Sequence, residues 1–256
     1  MIPISIAAFL MGSVVGSFLN VCIYRIPRGL SIIWPSSRCP LCKIPIRPHD
    51  NIPIISFLVL GGRCRNCGER IPFRYPAVEM MNALLYVAAV WRYGVGWHTP
   101  FLFLFCSVMI VIAFIDLDHQ IIPDVITLPG IPFGLIAGSF LFPDPFARTG
   151  PTGFVNGLIG LFSGGGLFYA IAVLSRGGMG GGDIKMMAMV GAFSGWKSIF
   201  LTTFAGSLLG SIAGIFLMVF KGKGRKTRVP FGPFLALGAL ITLFCGREIL
   251  DLYLRR

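Results

Sequence analysis

Long apolar stretches alternate with short polar ones along the chain, and a single long polar stretch breaks the rhythm. Apolar runs cover residues 2–23, 77–90, 101–115, 125–142, 154–174, 184–193, 199–220 and 231–244. About 20 apolar residues are what an α-helix needs to cross the hydrocarbon core of a bilayer, where each backbone polar group must find its partner inside the segment. The pattern predicts an all-α polytopic membrane protein with about eight transmembrane helices, the run 184–193 being only half a span. The division that follows is a first transmembrane helix over 1–24, a loop over 25–76 and a membrane-embedded remainder over 77–256. Within the first run Gly12 and Gly16 are four apart, with Ser13 and Ser17 beside them, so one face is small enough for close helix contact. Asn20 is expected to face a partner helix.

Composition agrees with this reading. At 55% hydrophobic and 12% charged residues, the chain is too apolar and too poor in charge for a soluble globular domain. Its net charge of +12 would point to nucleic acid in a soluble protein. Here the basic residues cluster between apolar runs, as the positive-inside rule requires of cytoplasmic loops, and no nucleic-acid partner is expected. No basic residue precedes the first run, whereas Arg25 and Arg28 follow it, so the run reads as a retained anchor with its N-terminus outside. The inner loops are then 25–76, 116–124, 176–185 and 221–230, with nine, zero, two and five Lys or Arg. Against these sixteen, the outer side holds six: Arg92, Arg148, Lys197, Arg247, Arg255 and Arg256. The same alternation places Asp116 and Asp183 together on the cytoplasmic face.

These two aspartates carry the candidate chemistry. The chain has only ten acids, and a carboxylate at the edge of a hydrocarbon-facing helix is functional by default. Asp116 follows the last turn of its expected helix, where the macrodipole disfavours a negative charge, so capping does not explain it. Asp183 closes the glycine run Gly177 to Gly182, and two readings stay open for it: a functional acid, or an N-cap for a helix starting at Ile184. Nearby, Asp124 reads as an N-cap, while Asp118 and His119 are solvated in the turn. Met186, Met187, Met189 and the ladder Gly206, Gly210, Gly214 read as helix packing. Two carboxyls brought together share a proton, and the pair offers a base for water and an acid for a carbonyl at once. Gly180, Gly181 and Gly182 would let an extended peptide approach closely, the alternatives being a flexible linker or a phosphate cradle. A proton-coupled carrier would also place acids at helix ends, although the internal repeat common in carriers is absent.

Residues 25–75 hold the strongest local motif, Cys39-x-x-Cys42 and Cys64-x-x-Cys67, with 21 residues between the pairs. Each pair supplies two thiolates from one turn, and tetrahedral zinc takes four. A zinc-ribbon-like loop with structural zinc is expected, a redox pair being the alternative, and His49 and Asp50 read as loop residues.

In order along the chain, Gly16-Ser-Phe-Leu-Asn-Val-Cys-Ile-Tyr-Arg25, the paired CxxC loop, Arg74-Tyr-Pro-Ala-Val-Glu79, Ile115 to Asp124, Gly178 to Lys185 and Val229-Pro-Phe-Gly-Pro-Phe234 resemble the type IV prepilin leader peptidases. Gly180-Gly-Gly182-Asp183 is similar to the GxGD motif of intramembrane aspartyl proteases. The resemblance selects Asp116 and Asp183 as catalytic and implies prepilins or type II secretion pseudopilins as substrates. It also implies a bacterial inner-membrane location, and methylation of the new N-terminal residue, usually Phe, with S-adenosylmethionine as donor. No Rossmann-type glycine motif marks a site for that donor. The loop over 25–75 is expected to serve docking and methyl transfer, and the aspartates cleavage.

Overall fold

The structure, a computed structural model, describes residues 2–39, 41–147, 150–175, 178–221 and 230–254. Gly177 at the head of the glycine run, Arg148, Arg176, the basic residues within 222–229, Val229, Arg255 and Arg256 lie outside these. The described residues form α1 (Ile2–Arg25), α2 (Ile55–Val59), α3 (Arg74–Tyr93), α4 (Thr99–His119), α5 (Asp124–Phe140), α6 (Phe154–Leu174), α7 (Gly181–Ser194), α8 (Trp196–Lys221) and α9 (Gly232–Leu254). No β-strand beyond isolated bridges is found among them. Five helical spans are long and apolar enough to cross a membrane: Ile2–Arg28, Thr99–His119, Phe154–Leu174, Trp196–Val219 and Gly232–Tyr253. Asp124–Phe140 is a shorter apolar helix. The other two expected spans are helical, but α3 carries Arg74, Glu79, Asn82 and Arg92, and α7 has 14 residues. Such a length reaches about 21 Å, against a hydrocarbon core of about 30 Å.

The chain separates into two units, Met1–Val95 with Leu102–Val111, and Gly96–Phe101 with Ile112–Arg256. In the first, α1 and α3 lie antiparallel through the small face seen in the sequence. A Cβ on Gly12 would stand 2.6 Å from the Ala83 Cα, and one on Gly16 would stand 2.6 Å from the Glu79 Cα. Asn20 does reach the partner helix, donating from Nδ2 to the Tyr75 carbonyl at 3.1 Å, and Asn82 donates back to the Gly12 carbonyl at 2.8 Å. In a bilayer, where apolar surface gives helices no reason to associate, such close backbone approach and buried hydrogen bonds supply the attraction.

In the second unit α7 is the central element, with Met186 to Ser194 all buried. Gly160 and Gly191 meet backbone to backbone and join α6 to α7 in antiparallel register, continued by Gly164 against the Met187 carbonyl. α5 runs in the same direction as α7, with Gly130 facing Met189 and Gly134 facing Phe193. α8 and α9 are antiparallel, Gly206 on Phe234 and Leu235, with Thr202 and Thr242 sharing a buried hydrogen bond of 3.1 Å. The packing role expected of Gly206 and Gly210 is seen, whereas Gly214 faces open space. The end of α4 and the starts of α5, α7 and α9 therefore gather at one end of this unit.

Candidate aspartate site and cysteine cluster

Several expected boundaries move. α4 continues to His119, so Asp116 lies inside its last turn, and Asp118 and His119 are exposed on that turn. α7 begins at Gly181 with Gly180 as N-cap, which makes Asp183 a first-turn residue and not the cap of a helix starting at Ile184. Asp124 is not a cap either. Pro123 holds that position, and the Asp124 carboxylate instead takes the Lys185 ammonium at 2.7 and 2.8 Å, because its side chain projects toward α7 and away from its own backbone N–H groups.

Asp116 is buried, and its Oδ2 accepts the backbone N–H of Gly232 at 2.9 Å. Gly232 opens α9, so this donor belongs to the positive end of a helix dipole, which favours an anion. A Cβ at Gly232 would stand 2.7 Å from that same oxygen, so any larger residue displaces the carboxylate. Asp183 is half-buried and takes a backbone hydrogen bond from Gly180. Its carboxyl is pushed up to about 6, by burial first and by the charge of Asp116 second. Two acids separated by 66 intervening residues are thus close enough to repel. Gly180 and Gly181 are exposed beside the pair, while Gly182 is packed on Ile122.

The four cysteines converge as their spacing requires. The sulfur atoms of Cys39, Cys42, Cys64 and Cys67 all lie within 4.8 Å of one another, and Cys39 and Cys67 are 3.7 Å apart. A tetrahedron with metal–sulfur bonds of about 2.3 Å has edges of about 3.8 Å, so the donor set fits a four-coordinate ion. The two knuckles repeat one design. The Lys43 N–H donates to the Cys39 carbonyl at 3.0 Å and the Gly68 N–H to the Cys64 carbonyl at 2.9 Å, with Lys43 at φ 60 and Gly68 at φ 69. Backbone N–H groups of Cys67 and Asn66 draw the Cys64 thiol down to about 7, toward the thiolate that a metal takes. Asp50 accepts Arg65 through both oxygens at 2.7 to 3.1 Å, which ties the first half of the loop to the second, and neither it nor His49 joins the cluster.

Residues 10–93 match the bacterial peptidase A24 N-terminal domain, and residues 103–215 match the type IV leader peptidase family. A prepilin leader peptidase/N-methyltransferase of Pseudomonas aeruginosa is 36% identical over 276 residues, covering 98% of this chain and 93% of the relative. One from Aeromonas hydrophila is 36% identical over 96% of this chain and 92% of its own length, and one from Bacillus subtilis is 34% identical over 96% of each. The chain belongs to the type IV leader peptidase family. No solved structure matches it. The two family matches divide as the chemistry does, the four cysteines falling in the first and both aspartates in the second.

Within this family member the first unit also holds a buried polar stripe that the hydropathy pattern hides. Glu79, Asn82 and Tyr86 follow one another at helical spacing on α3. Glu79 Oε2 accepts the Ile54 N–H at 2.7 Å, and the Ser17 hydroxyl donates to the same carboxylate. Ser107 donates to Asn82 Oδ1 at 2.9 Å and lies 3.0 Å from the Tyr86 hydroxyl. Ile54 is β-branched and sits at φ 63, a conformation such residues avoid, and the bond from Glu79 holds it there. The legible signal was Glu-x-x-Asn-x-x-x-Tyr inside an apolar run, the spacing of one helix face.

Proposed function

We propose that this chain is a bifunctional inner-membrane enzyme that removes the leader peptide of type IV prepilins or type II secretion pseudopilins and methylates the new N-terminal residue. The observation that carries the reading is that Asp116 and Asp183 lie near enough at one end of the second unit for the charge of Asp116 to raise the Asp183 carboxyl. Asp116, held by the N–H of Gly232, is the ionised partner, and Asp183 holds the proton. The carboxylate takes a proton from water, and the resulting hydroxide attacks the scissile carbonyl carbon. Asp183 gives its proton to the carbonyl oxygen. The tetrahedral diol collapses, the C–N bond breaks and the amine leaves with a proton, after which the pair again holds one proton. The exposed Gly180 and Gly181 leave room for an extended substrate backbone beside the acids, whereas the space over Gly182 is filled by Ile122.

In the same reading the residue division 1–24, 25–76 and 77–256 corresponds to anchor, loop and peptidase, eight segments cross the membrane, and the aspartates face the cytoplasm. Cys39, Cys42, Cys64 and Cys67 bind zinc, which is structural because four protein thiolates leave no position for water. The methyl donor is S-adenosylmethionine. When bound, S-adenosylmethionine would supply an electrophilic methyl group to the new N-terminal amine. Incubation of the purified enzyme with a prepilin, followed by mass spectrometry, tests the proposal. Loss of the leader and a gain of one methyl group are expected, and an unchanged substrate would favour the carrier.

A further inference from the structure

The turn joining α4 to α5 is the segment of the second unit that touches the supports of both aspartates. Gln120 ends α4 at φ 53, and the chain crosses residues 121–123 before α5 starts at Asp124. Ile122 is buried against two glycine backbones. A Cβ on Gly182 would stand 2.8 Å from the Ile122 Cβ, and a Cβ on Gly232 would stand 3.2 Å from its Cδ1. Gly182 precedes Asp183, and Gly232 gives its N–H to Asp116. One side chain therefore spaces the two backbone segments that carry or hold the acids. The end of the same turn makes the second contact, since Asp124 grips Lys185 through both oxygens and Lys185 lies two residues beyond Asp183. Both partners are solvent-accessible, with side-chain exposures of 53% and 37%. Exposed pairs of this kind contribute little to folding, too little to account for the contact by stability.

We propose that the turn over 122–124 is the positioning element of the carboxyl pair, with Ile122 setting the distance between the starts of α7 and α9 and the Asp124–Lys185 pair fixing the rotation of the first turn of α7. The inference rests on the reading of Asp116 and Asp183 as the reacting acids. Neither Ile122 nor Lys185 touches the substrate bond. Their effect passes through Asp183, whose displacement by about 1 Å is enough to cost about a hundredfold in rate.

The test is steady-state cleavage of a purified prepilin by the full-length enzyme, with kcat and KM measured separately and thermal unfolding recorded for each variant. Lys185→Met and Asp124→Asn should each lower kcat about tenfold while KM stays within about twofold. The reversed pair, Asp124→Lys with Lys185→Asp, should recover to within about threefold of the unmodified enzyme. Ile122→Ala should lose kcat by a similar factor, and Ile122→Val, which keeps the Cβ against Gly182 but lacks the Cδ1 against Gly232, should fall between Ile122→Ala and the unmodified enzyme. Single variants with full kcat, losses that fall on KM, or a reversed pair no better than the single variants would each overturn the proposal. Asp183→Asn is run beside them: if it still cleaves, the assignment of the acids fails, whatever the turn variants do.

Discussion

The buried Glu79 and Asn82 of the first unit and the Asp116–Asp183 site of the second are partnered in opposite ways. In the first, the partners are protein groups at several atoms of each side chain: Asn82 bonds both Gly12 and Ser107, and Glu79 takes both Ile54 and Ser17. In the second, Asp116 takes one backbone donor, from Gly232, and Asp183 one, from Gly180. A carboxylate offers about four acceptor positions, so most of those on Asp116 and Asp183 stay free for water and a peptide. Buried polar groups are normally satisfied, because leaving one bare costs about 1 to 3 kcal/mol.

The strongest way to break this contrast is to remove one acid. Asp116→Asn and Asp183→Asn should each reduce prepilin cleavage by about a thousandfold or more, whereas Asp118→Asn should keep part of it. Cleavage surviving either of the first two changes in folded protein would remove the distinction. The cysteine cluster is next in size. Replacing any one of Cys39, Cys42, Cys64 or Cys67 with Ser should take bound zinc from about one ion per chain toward zero, read by metal analysis, and should expose the loop to proteolysis. The chemistry of the two units should separate as well. Asp183→Asn should leave methyl incorporation into a pre-cleaved, Phe-ending pilin intact, and joint loss of both activities in folded protein would mean one coupled site.

Smaller effects sharpen the comparison. Because the Asp183 carboxyl is raised to about 6, it keeps its proton well above the ordinary aspartate range and loses it as pH climbs past that value. Cleavage should therefore fall along an alkaline limb starting near pH 6, visible in a pH profile of kcat/KM, and a flat profile through neutrality would count against a shared proton. In the first unit, Gly16→Val should lower stability by about 1 to 3 kcal/mol by forcing α1 off α3, read as a drop in Tm. Material that remains folded should still cleave, since no reacting acid lies on those helices.

The sequence by itself determined whatever is local in the covalent chain. Apolar run length announced helices and each CxxC pair announced two thiolates on one turn, because each signal lies within about one or two turns of chain, whereas the choice of Asp116 and Asp183 came from the resemblance of their surrounding motifs. Helix ends were less legible: α7 starts three residues before the expected Ile184, since glycines at 181 and 182 enter a helix when packing favours it over their flexibility. The partner of Asp124 was not legible at all. Choosing Lys185 over its own backbone depends on the register of α5 along α7, fixed by contacts such as Gly134 on Phe193. The same holds for Ile122, an ordinary apolar residue in the sequence, and for Gly232, whose N–H meets Asp116 across 115 intervening residues. Only tertiary packing decides such pairings, because the energy that selects them comes from many close helix contacts elsewhere and not from the residues that meet.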